Sequence, residues 1–477
     1  MREQDQAAIS DFFDSPAQRP LLGLVYGRRR IGKSTMLVRE VEQRGGFYFE
    51  AIKVSTPTQL ERLGDAMGRY LGVRRLAFAN WEEALRSIID IGRDRPIPAV
   101  LDEFGYIMEA DPSIESAIAT ALGPGAQHDP TSRVRLILCG SAISLMRALT
   151  AGQAPLRGRA GLELVMQPDD YRTAWRRLSP GCDLDTAMQV FSVIGGVVGY
   201  ATDMVNFDLP VSSSDFDRWL TERVLSPAAT LHYEATTLLA EDPSLAGRSA
   251  LIYNSILGAI ANGSVTAGSI AKKMSRPVSN IDPAMRRLIQ AGFIIRHEDP
   301  FRDKRPLYAL NDPFLQFHYA VLQPHGSALR GRDPSRLWLS RLKHVFDSQV
   351  RGPVFEEVAR TWVTRFASDA TLPVRDYVGP SYVNVDGRNH QLDVLVTAYD
   401  EVPANRRIMA IGEAKAGEKL TIGDLRALER LRASFDLAAV EAKLLLFGSD
   451  ADEKLSEIAQ ARSDVEIVDL ERLYSGS

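Results

Sequence analysis

Cysteine is scarce in this chain of 477 residues, which contains only Cys139 and Cys182. Cys139 lies in a predicted buried strand, and neither residue has neighbours at the spacing of metal ligands. Disulfide bonds persist in oxidising compartments. This sparse use of cysteine therefore favours a reducing cytoplasm over such a compartment.

The chain also lacks a long apolar run. Its most apolar window, 190–205, is interrupted by glycines and is shorter than the ~18 residues that a membrane-spanning helix needs. We therefore predict a buried helix there and no membrane partner.

Net charge is low as well. The formal charge of −4 provides no whole-molecule attraction to nucleic acid, so any such binding must come from a local patch. The chain is too long for one core, and the usual domain size predicts roughly three units. The changes in pattern along the chain place these units at 1–205, 206–335 and 336–477.

A phosphate-binding pattern lies near the start of the chain. Residues 27–34 have the sequence GRRRIGKS, which fits GxxxxGK[ST], and they follow the apolar stretch 21–26. That context is required, because a buried strand must deliver the loop to a helix N-terminus, where backbone N–H groups surround phosphates. The pattern predicts ATP or GTP binding by Gly27, Arg30, Ile31, Gly32, Lys33, Ser34 and Thr35. Lys33 would hold the β and γ phosphates, Ser34 would ligate Mg²⁺, and Thr35 would begin the helix.

From residue 1 to about 205, short apolar strands alternate with helical patterns, which predicts a parallel sheet covered on both faces. The strands are expected near 21–26, 46–51, 98–102, 134–140 and 161–166. The third of these strands ends in Asp102 and Glu103. An apolar strand followed by two acids is often only a solvated strand end, but behind a phosphate loop it predicts ATP chemistry. Asp102 would reach Mg²⁺ through water, and Glu103 would polarise the attacking water.

Two further polar residues are candidates for contacts with the γ-phosphate. Ser141 follows the fourth strand, which in such ATPases usually lies between the other two; the alternative is a helix N-cap. Arg159 lies on a predicted loop before the fifth strand, where an arginine stabilises transition-state charge in its own or a neighbouring subunit. Surface solvation is the alternative for Arg159.

Between about 250 and 310 the pattern changes to three short helices and two strands joined by a charged segment. This layout predicts a winged helix-turn-helix. Residues 272–305 contain nine basic residues against four acidic ones, a concentration suited to phosphate-backbone contacts with DNA. A rigid lid or packing unit is the alternative.

The third region returns to mixed strands and helices. Leu392, Val394 and Val396 alternate with Asp393, which predicts that Asp393 lies on the opposite face of a strand. Glu413 and Lys415 follow, two residues apart, and Glu356 lies on a predicted helix. Such a set gathers carboxylates around Mg²⁺ and places a lysine near an attacking water. The pattern is short and common, and solvated strand residues are the alternative, but the flanking helices and strands favour a metal site. We therefore predict a nuclease-like metal site formed by Glu356, Asp393, Glu413 and Lys415, with Asp393 and Glu413 as metal ligands.

Taken in order, these segments resemble the archaeal-type ATPases of the STAND/AAA-like P-loop class, fused to a C-terminal DUF234-type domain of the PD-(D/E)xK nuclease superfamily. The resemblance rests on GRRRIGKS at 27–34, VLDE at 100–103, LCGS at 138–141, NDPF at 311–314, and Asp393 with EAK at 413–415. Two positions depart from the family pattern. Leu392 stands where the nuclease signature has a proline, and Gln4-Asp5-Gln6 replaces part of the R-E-x-E-L motif expected near the start of the chain. The resemblance implies an α/β P-loop sheet, a winged-helix connector and a restriction-endonuclease-like domain.

The leading expectation is a cytoplasmic Mg²⁺-dependent ATPase that couples nucleotide state to a DNA-acting C-terminal domain, in defence or DNA processing. The nuclease-like site would accept Mg²⁺ or Mn²⁺. A second hypothesis is a STAND-type nucleotide switch that forms homo-oligomers or binds protein partners, with the C-terminal fold as a non-cleaving platform. A third is a winged-helix transcriptional regulator.

Overall fold

The computed structural model describes residues 2–123, 131–247, 250–301, 305–331, 333–385, 387–399, 406–435 and 441–477. Its contacts divide the chain into two compact units. The first contains Met1–Asp169 with Leu238–Gly247, and the second contains Asp170–Thr237 with Arg248–Ser477. The three domain ranges inferred from the sequence stay predictions. Among the described residues, no helix has both the length and the hydropathy to cross a membrane.

The first unit is built on a five-stranded parallel sheet with the strand order β2-β3-β4-β1-β5. Its strands are β1 (Leu21–Tyr26), β2 (Phe47–Glu50), β3 (Ile97–Asp102), β4 (Val134–Gly140) and β5 (Ala160–Val165). The five strands predicted from the sequence are confirmed, as is the position of β4 between β1 and β3. Because all five run the same way, the residues that follow β1, β3 and β4 meet at one edge of the sheet.

Helices cover both faces of this sheet. They are α1 (Arg2–Phe13), α2 (Lys33–Gln43), α3 (Thr56–Leu71), α4 (Trp81–Asp90), α5 (Phe104–Ala110), α6 (Ile114–Ala121) and α7 (Ile143–Ala148). Leu22, Leu24 and Tyr26 face a core filled by residues of α3 to α6. Gly23 points to the other face, where a Cβ atom would lie 3.1 Å from the ring of Phe12 on α1. The alternation of β1 therefore places it between two helical layers.

The second unit begins with helices. They are α8 (Tyr171–Leu178), α9 (Leu184–Ile194), α10 (Ser213–Trp219) and α11 (Leu231–Glu241), the last of which runs into the segment assigned to the first unit. The single buried helix predicted over 190–205 is wrong. Helix α9 ends at Ile194, because Gly195 adopts a positive φ of 58° that continues no helix, and a separate π-helical turn covers Tyr200–Met204.

Three helices and a hairpin follow, where the sequence predicted them. They are α12 (Ala250–Ala261), α13 (Ala267–Lys273), α14 (Val278–Gln290), and the antiparallel strands β6 (Ile294–His297) and β7 (Leu307–Leu310). A capping box between Thr266 and Ser269 fixes the start of α13. Residues 302–304, which carry part of the charged segment between the strands, lie outside the described residues.

Short helical segments connect this region to a mixed α/β sheet. They are α15 (Pro313–Phe317), α16 (Gln323–Gly331), α17 (Pro334–Leu337) and α18 (Lys343–Phe346), with π-helical turns at Leu220–Val224, His318–Leu322, Trp338–Leu342 and Asp347–Arg351. The long helix α19 (Gly352–Arg365) then packs on the sheet.

The C-terminal sheet has the order β14-β12-β10-β9-β8. Its elements are β8 (Tyr377–Val385), β9 (Arg388–Tyr399), β10 (Arg406–Ala414), β12 (Lys443–Phe447) and β14 (Val465–Val468), with α20 (Ile422–Ala433), α21 (Glu453–Ala461) and α22 (Leu470–Ser475). A small parallel pair joins β11 (Lys419–Leu420) and β13 (Asp450–Ala451). Strands β8, β9 and β10 pair antiparallel, whereas β10, β12 and β14 pair parallel.

The strict alternation predicted along β9 is wrong. The pairing with β8 shifts register between Gly379 and Ser381, opposite Leu395 and Leu392. Leu392 and Leu395 consequently belong to one hydrophobic cluster, although they are three residues apart. A bulge of this kind locally re-aims side chains, and Asp393 lies within it.

Candidate functional site

The 27–34 loop joins the end of β1 to α2. Gly27 has a φ of 156°, and a Cβ atom on it would lie 2.2 Å from the carbonyl oxygen of Met166. Gly32, directly before α2, has a φ of 93°, and Arg30 adopts a left-handed φ of 65°. Two positions in this loop thus favour glycine, and a third carries backbone strain of the kind found at binding sites. Ile31 is buried and anchors the loop.

Lys33 is the first residue of α2 and is buried. Its Nζ atom donates hydrogen bonds to the carbonyl oxygens of Gly27 at 2.8 Å and Arg28 at 2.9 Å. The predicted start of the helix at Thr35 is wrong by two residues, because the first helical hydrogen bond runs from the Met36 N–H to the Gly32 carbonyl. Ser34 and Thr35 are exposed in this first turn, where backbone N–H groups have no intrahelical partner.

Asp102 ends β3 and is only 1% exposed. The Tyr48 hydroxyl donates to its Oδ2 atom at 2.5 Å, and the Glu103 backbone N–H donates to Oδ1 at 2.8 Å. Burial raises the pKa of Asp102, but hydrogen bonds from Cys139, Ser34, Tyr48 and Glu103 outweigh it, so the pKa is lowered. A buried, ionised carboxylate therefore lies beside the Ser34 hydroxyl.

Glu103 and Ser141 are brought together at the same sheet edge. The Ser141 Oγ atom donates to Glu103 Oε2 at 2.9 Å. Glu103 adopts a left-handed backbone with a φ of 49°, which is strained for a residue with a side chain. The alternative role of Ser141 as an N-cap is wrong, because the cap of α7 is Ala142.

Two residues at this edge escaped the sequence patterns, Tyr48 on β2 and Cys139 on β4. Both hydrogen-bond to Asp102. Tyr48 belongs to no short motif, and the LCGS segment at 138–141 gave Cys139 no role, since each residue reaches Asp102 only through the pairing of adjacent strands. The signal that could have found them is the predicted strand order, which flanks β3 with β2 and β4.

The arginines near the loop have contacts of their own. Arg159 donates from Nη1 to the carbonyl oxygen of Ala119, near the end of α6, at 2.9 Å. Arg29 forms an ion pair with Glu241, and the adjacent Asp242 accepts hydrogen bonds from Ser144 at the start of α7. The role of Arg159 at a γ-phosphate stays a prediction.

A second cluster lies in the C-terminal sheet, where α19, β9 and β10 meet. The Nε2 atom of Gln391 lies 3.1 Å from Glu356 Oε2 and 3.2 Å from Asp393 Oδ1. Asp393 Oδ2 accepts a hydrogen bond from the Ala414 N–H at 3.0 Å. Glu413 is close enough for its charge to interact with Asp393. The structure thus gathers the three carboxylates predicted from the sequence; Gln391 was missed.

The charges of this cluster are poorly compensated. Burial, together with the charge on Asp393, raises the pKa of Glu356 to about 8, and the same two causes raise the pKa of Glu413 to about 7. Burial also raises the pKa of Asp393. Throughout the described ranges, no three His, Cys, Asp or Glu side chains are arranged to hold a metal ion together. The two-carboxylate metal site at Asp393 and Glu413 stays a prediction.

Lys415 follows the end of β10. Its Nζ atom lies 2.6 Å from Asp424 Oδ1 on α20 and 3.9 Å from Glu418. The hydrogen bond to Asp424 is the main reason that the pKa of Lys415 is raised. Lys415 still lowers the pKa of Glu413 through its charge, so it remains near the cluster.

A buried ion network supports the cluster from behind. Arg360 on α19 donates from Nη1 to the Asp393 carbonyl oxygen at 2.5 Å, and its Nη2 atom lies 2.7 Å from Glu357 Oε1. Glu357 also contacts the ring of His297 on β6, at 3.1 Å. Although burial opposes ionisation, Arg360 and His297 hold the pKa of Glu357 well below its usual range. Arg360 therefore fixes the backbone of the residue predicted to bind metal.

Comparison with known proteins bears on the fold. No family model matches the chain. An uncharacterized protein of Methanocaldococcus jannaschii is 24% identical over 381 residues, which cover 78% of this chain and 79% of that protein. The solved structure of the Walker-type ATPase of Pyrococcus abyssi overlays with a TM-score of 0.50 at 19% identity, covering 67% of this chain and 96% of that one.

This chain has a P-loop ATPase fold. The predicted α/β parallel-sheet architecture of the first unit is thereby confirmed. A weaker match, to the ORC2 protein of Aeropyrum pernix, has a TM-score of 0.44 at 15% identity and covers 69% of this chain and 95% of that one.

The raised pKa values of the carboxylate cluster predict a pH dependence of stability. A carboxyl whose pKa is raised on folding binds its proton more tightly in the folded state. Its contribution to the free energy of unfolding is therefore complete at low pH and is lost as the pH rises through the raised pKa. In a metal chelator, the melting temperature of the chain should fall between pH 5 and pH 9 because of Glu356 and Glu413. Glu356→Gln should reduce that fall, as measured by thermal unfolding.

Glu453, an exposed glutamate at the start of α21, supplies the matched control. Glu453→Gln should leave the pH dependence as in the unmodified chain. A Glu356→Gln variant whose melting temperature follows the same pH curve as the unmodified chain would contradict the assignment of buried, mutually repelling carboxylates.

Proposed function

We propose that the first unit binds ATP with Mg²⁺ and hydrolyses it. The observation that supports this most strongly is the convergence of Lys33 and Ser34 with Asp102, Glu103 and Ser141 at one edge of the sheet. Backbone N–H groups at the start of α2, a buried ammonium group and an ionised carboxylate beside a hydroxyl are the parts that nucleotide hydrolysis requires.

Each residue then has a role that follows from its contacts. Lys33, whose ammonium group bonds two loop carbonyl oxygens, exchanges these neutral partners for charged phosphate oxygens, which are stronger acceptors. Ser34 and Asp102 are the residues that would hold Mg²⁺, which neutralises charge on the phosphates when it is bound. Glu103, oriented by Ser141, accepts the proton of the attacking water.

We propose further that the second unit acts on DNA. Helices α12 to α14 and the β6–β7 hairpin follow one another in the order expected of a winged helix-turn-helix, and Lys272, Lys273 and Arg276 lie exposed beside the exposed first turn of α14. Basic side chains next to an accessible helix N-terminus suit phosphate-backbone contacts. The carboxylate cluster would bind Mg²⁺ or Mn²⁺ through Asp393 and Glu413 and cleave a phosphodiester, with ATP state controlling access, in DNA processing or defence.

One observation favours the second candidate, a nucleotide switch with a non-cleaving C-terminal platform that assembles with itself or with a protein partner. Lys415, the residue expected near an attacking water, is paired with Asp424 at 2.6 Å. A lysine held in this way is less available to activate water. Cleavage assays decide between the two candidates.

The ATPase proposal predicts that Lys33→Ala abolishes ATP hydrolysis. The substitution removes the only ammonium group that bonds the loop in the described contacts, and with it the charge that would stabilise the transferring phosphate. Phosphate release by the full chain in Mg²⁺ and ATP measures this directly. Lys53→Ala, which removes an exposed lysine paired with Glu109, should hydrolyse ATP at the unmodified rate. Retained turnover in Lys33→Ala would disprove the proposal.

Tyr48 should act through Asp102. Tyr48→Phe removes a hydrogen bond to an ionised carboxylate, and such a bond contributes roughly 1.5–3 kcal/mol. We expect the Mg²⁺ concentration for half-maximal ATP hydrolysis to rise on the order of tenfold, with metal-free nucleotide binding unchanged. The control is Tyr70→Phe, which removes a hydroxyl that donates to the Gly45 carbonyl oxygen instead and should leave the Mg²⁺ dependence unchanged. An unchanged Mg²⁺ dependence in Tyr48→Phe would show that Tyr48 does not position Asp102.

The DNA-cleavage proposal predicts that Asp393→Ala abolishes Mn²⁺-dependent nicking of plasmid DNA without changing ATP turnover. Asp393 is the acidic residue held between Gln391 and the Ala414 N–H, so its loss removes a metal ligand. Asp369→Ala, at an exposed aspartate paired with Arg375, should nick normally. Nicking that survives in Asp393→Ala would mean that the nuclease site lies elsewhere.

A further inference from the structure

The second unit contains a cavity of about 430 Å³ beside the carboxylate cluster. Its walls come from the end of α12, the β6–β7 hairpin, α19 and the strands β8 and β9. This volume falls in the range of about 300–1,000 Å³ typical of small-ligand sites. It is too small for a helix or a duplex, so its occupant must be a small molecule or a single projecting group.

Part of the cavity lining is apolar and partly aromatic. Tyr171, Phe191, Ile260, Val265 and Leu307 are among its lining residues. Apolar and aromatic walls favour a flat, uncharged body, because such a body loses little hydration on entry and packs against the rings.

Other lining residues belong to the catalytic cluster proposed above. Glu356 and Gln391 line the cavity, and Gln391 also hydrogen-bonds Asp393. Tyr382, another lining residue, donates its hydroxyl to Gln391 Oε1 at 3.1 Å. A phosphodiester at the cluster would therefore have the cavity as its immediate neighbour.

Arg360 supplies an unused hydrogen-bond donor in the cavity wall. The residue is 6% exposed, and both of its Nη atoms have acidic or carbonyl partners. Its Nε atom is buried with no hydrogen-bond partner among the described residues. A buried donor left unpaired is unfavourable, so a side-chain movement that brings Nε to an acceptor atom of a ligand would relieve a cost that the protein now bears.

The charges around the cavity disfavour a free anion. Glu357 is ionised, but Arg360 and His297 offset its charge, and Glu356 adds a further carboxyl group. The guanidinium group of Arg360 already contacts Glu357 and the Asp393 carbonyl oxygen, so little positive charge is left for a phosphate. A neutral planar group with acceptor atoms fits these conditions better than a phosphate does.

We infer that this cavity receives one unstacked base of a nucleic-acid strand whose adjoining phosphodiester lies at the Glu356, Asp393 and Glu413 cluster. The inference rests on the DNA-acting function proposed above. The base packs against the apolar residues of the lining, and Arg360 turns its buried Nε donor toward an acceptor atom of the base. Because extruding a base from the stack is unfavourable, and least so where the base is unpaired, the protein should prefer DNA with a single unpaired nucleotide.

The test compares three DNAs that differ at one position and are bound by the full chain in a metal chelator, which prevents cleavage. One is fully paired, one carries a single bulged adenine, and one carries an abasic bulge at the same place. Fluorescence anisotropy should show the bulged adenine bound at least about tenfold more tightly than the abasic bulge, equivalent to about 1.4 kcal/mol. The abasic DNA controls for flexibility without a base.

Substitutions in the cavity complete the test. Asn262→Trp and Ala309→Trp place an indole at two different lining positions, and each should reduce binding of the bulged adenine to the abasic level. Ser340→Trp, at an exposed position outside the cavity lining, should bind like the unmodified chain. Two filling variants are used so that the test does not depend on the folding of one variant. Thermal unfolding shows whether each of them is folded.

The outcomes separate this inference from the function on which it rests. Equal affinity for the bulged and abasic DNAs, or filling variants that keep the preference, would overturn the base-binding cavity while leaving DNA binding intact. Failure to bind any of the three DNAs would overturn the DNA-acting function and the cavity assignment together.

Discussion

Asp102 links the strand order of the first unit to the nucleotide site proposed there. Its carboxylate, at the end of β3, accepts hydrogen bonds from Tyr48 on β2, Ser34 on α2 and Cys139 on β4. These groups are far apart in the sequence and meet only because the strands run parallel in the order β2-β3-β4-β1-β5. A buried charge without partners is strongly destabilising, so the same contacts that stabilise this edge of the sheet keep Asp102 ionised beside the loop that contains Lys33.

The second unit shows the opposite electrostatic arrangement. Hydrogen bonds lower the pKa of Asp102, whereas burial and mutual repulsion raise the pKa values of Glu356 and Glu413. Repelling carboxylates gathered in one place favour a cation that neutralises them. Arg360 holds the backbone of Asp393 and pairs with Glu357, so it supports the cluster through a carbonyl oxygen, while the Asp393 carboxylate is held by Gln391 and the Ala414 N–H.

Local sequence patterns were sufficient for the parts of the protein in which the signal is short. The strand–loop–helix pattern located residues 27–34, and runs of apolar residues located the five strands of the first sheet within about a residue or two. The order of acidic residues anticipated that Glu356, Asp393 and Glu413 would meet. Each of these signals depends on residues that are adjacent in the chain or on strand ends that must converge.

The remaining features depend on long-range geometry. Tyr48, Gln391 and Arg360 act through contacts between separate elements, so no short motif contains them. The register shift in β9 broke the alternation expected around Asp393, because pairing with β8 overrode the pattern of the strand. The glycine at 195 ended a helix that hydrophobicity alone favoured. Ser141 bonds Glu103 rather than a helix end, a choice that the sequence left open.

The most direct test of the central claim is a crystal structure of the full chain with Mg²⁺ and a non-hydrolysable ATP analogue. We expect the analogue's terminal phosphates to lie within hydrogen-bonding distance of the 27–34 backbone N–H groups. Lys33 Nζ should have exchanged the carbonyl oxygens of Gly27 and Arg28 for phosphate oxygens, with the cation between Ser34 and Asp102. A structure determined at saturating analogue in which Lys33 keeps both carbonyl partners and the nucleotide binds elsewhere would contradict the account.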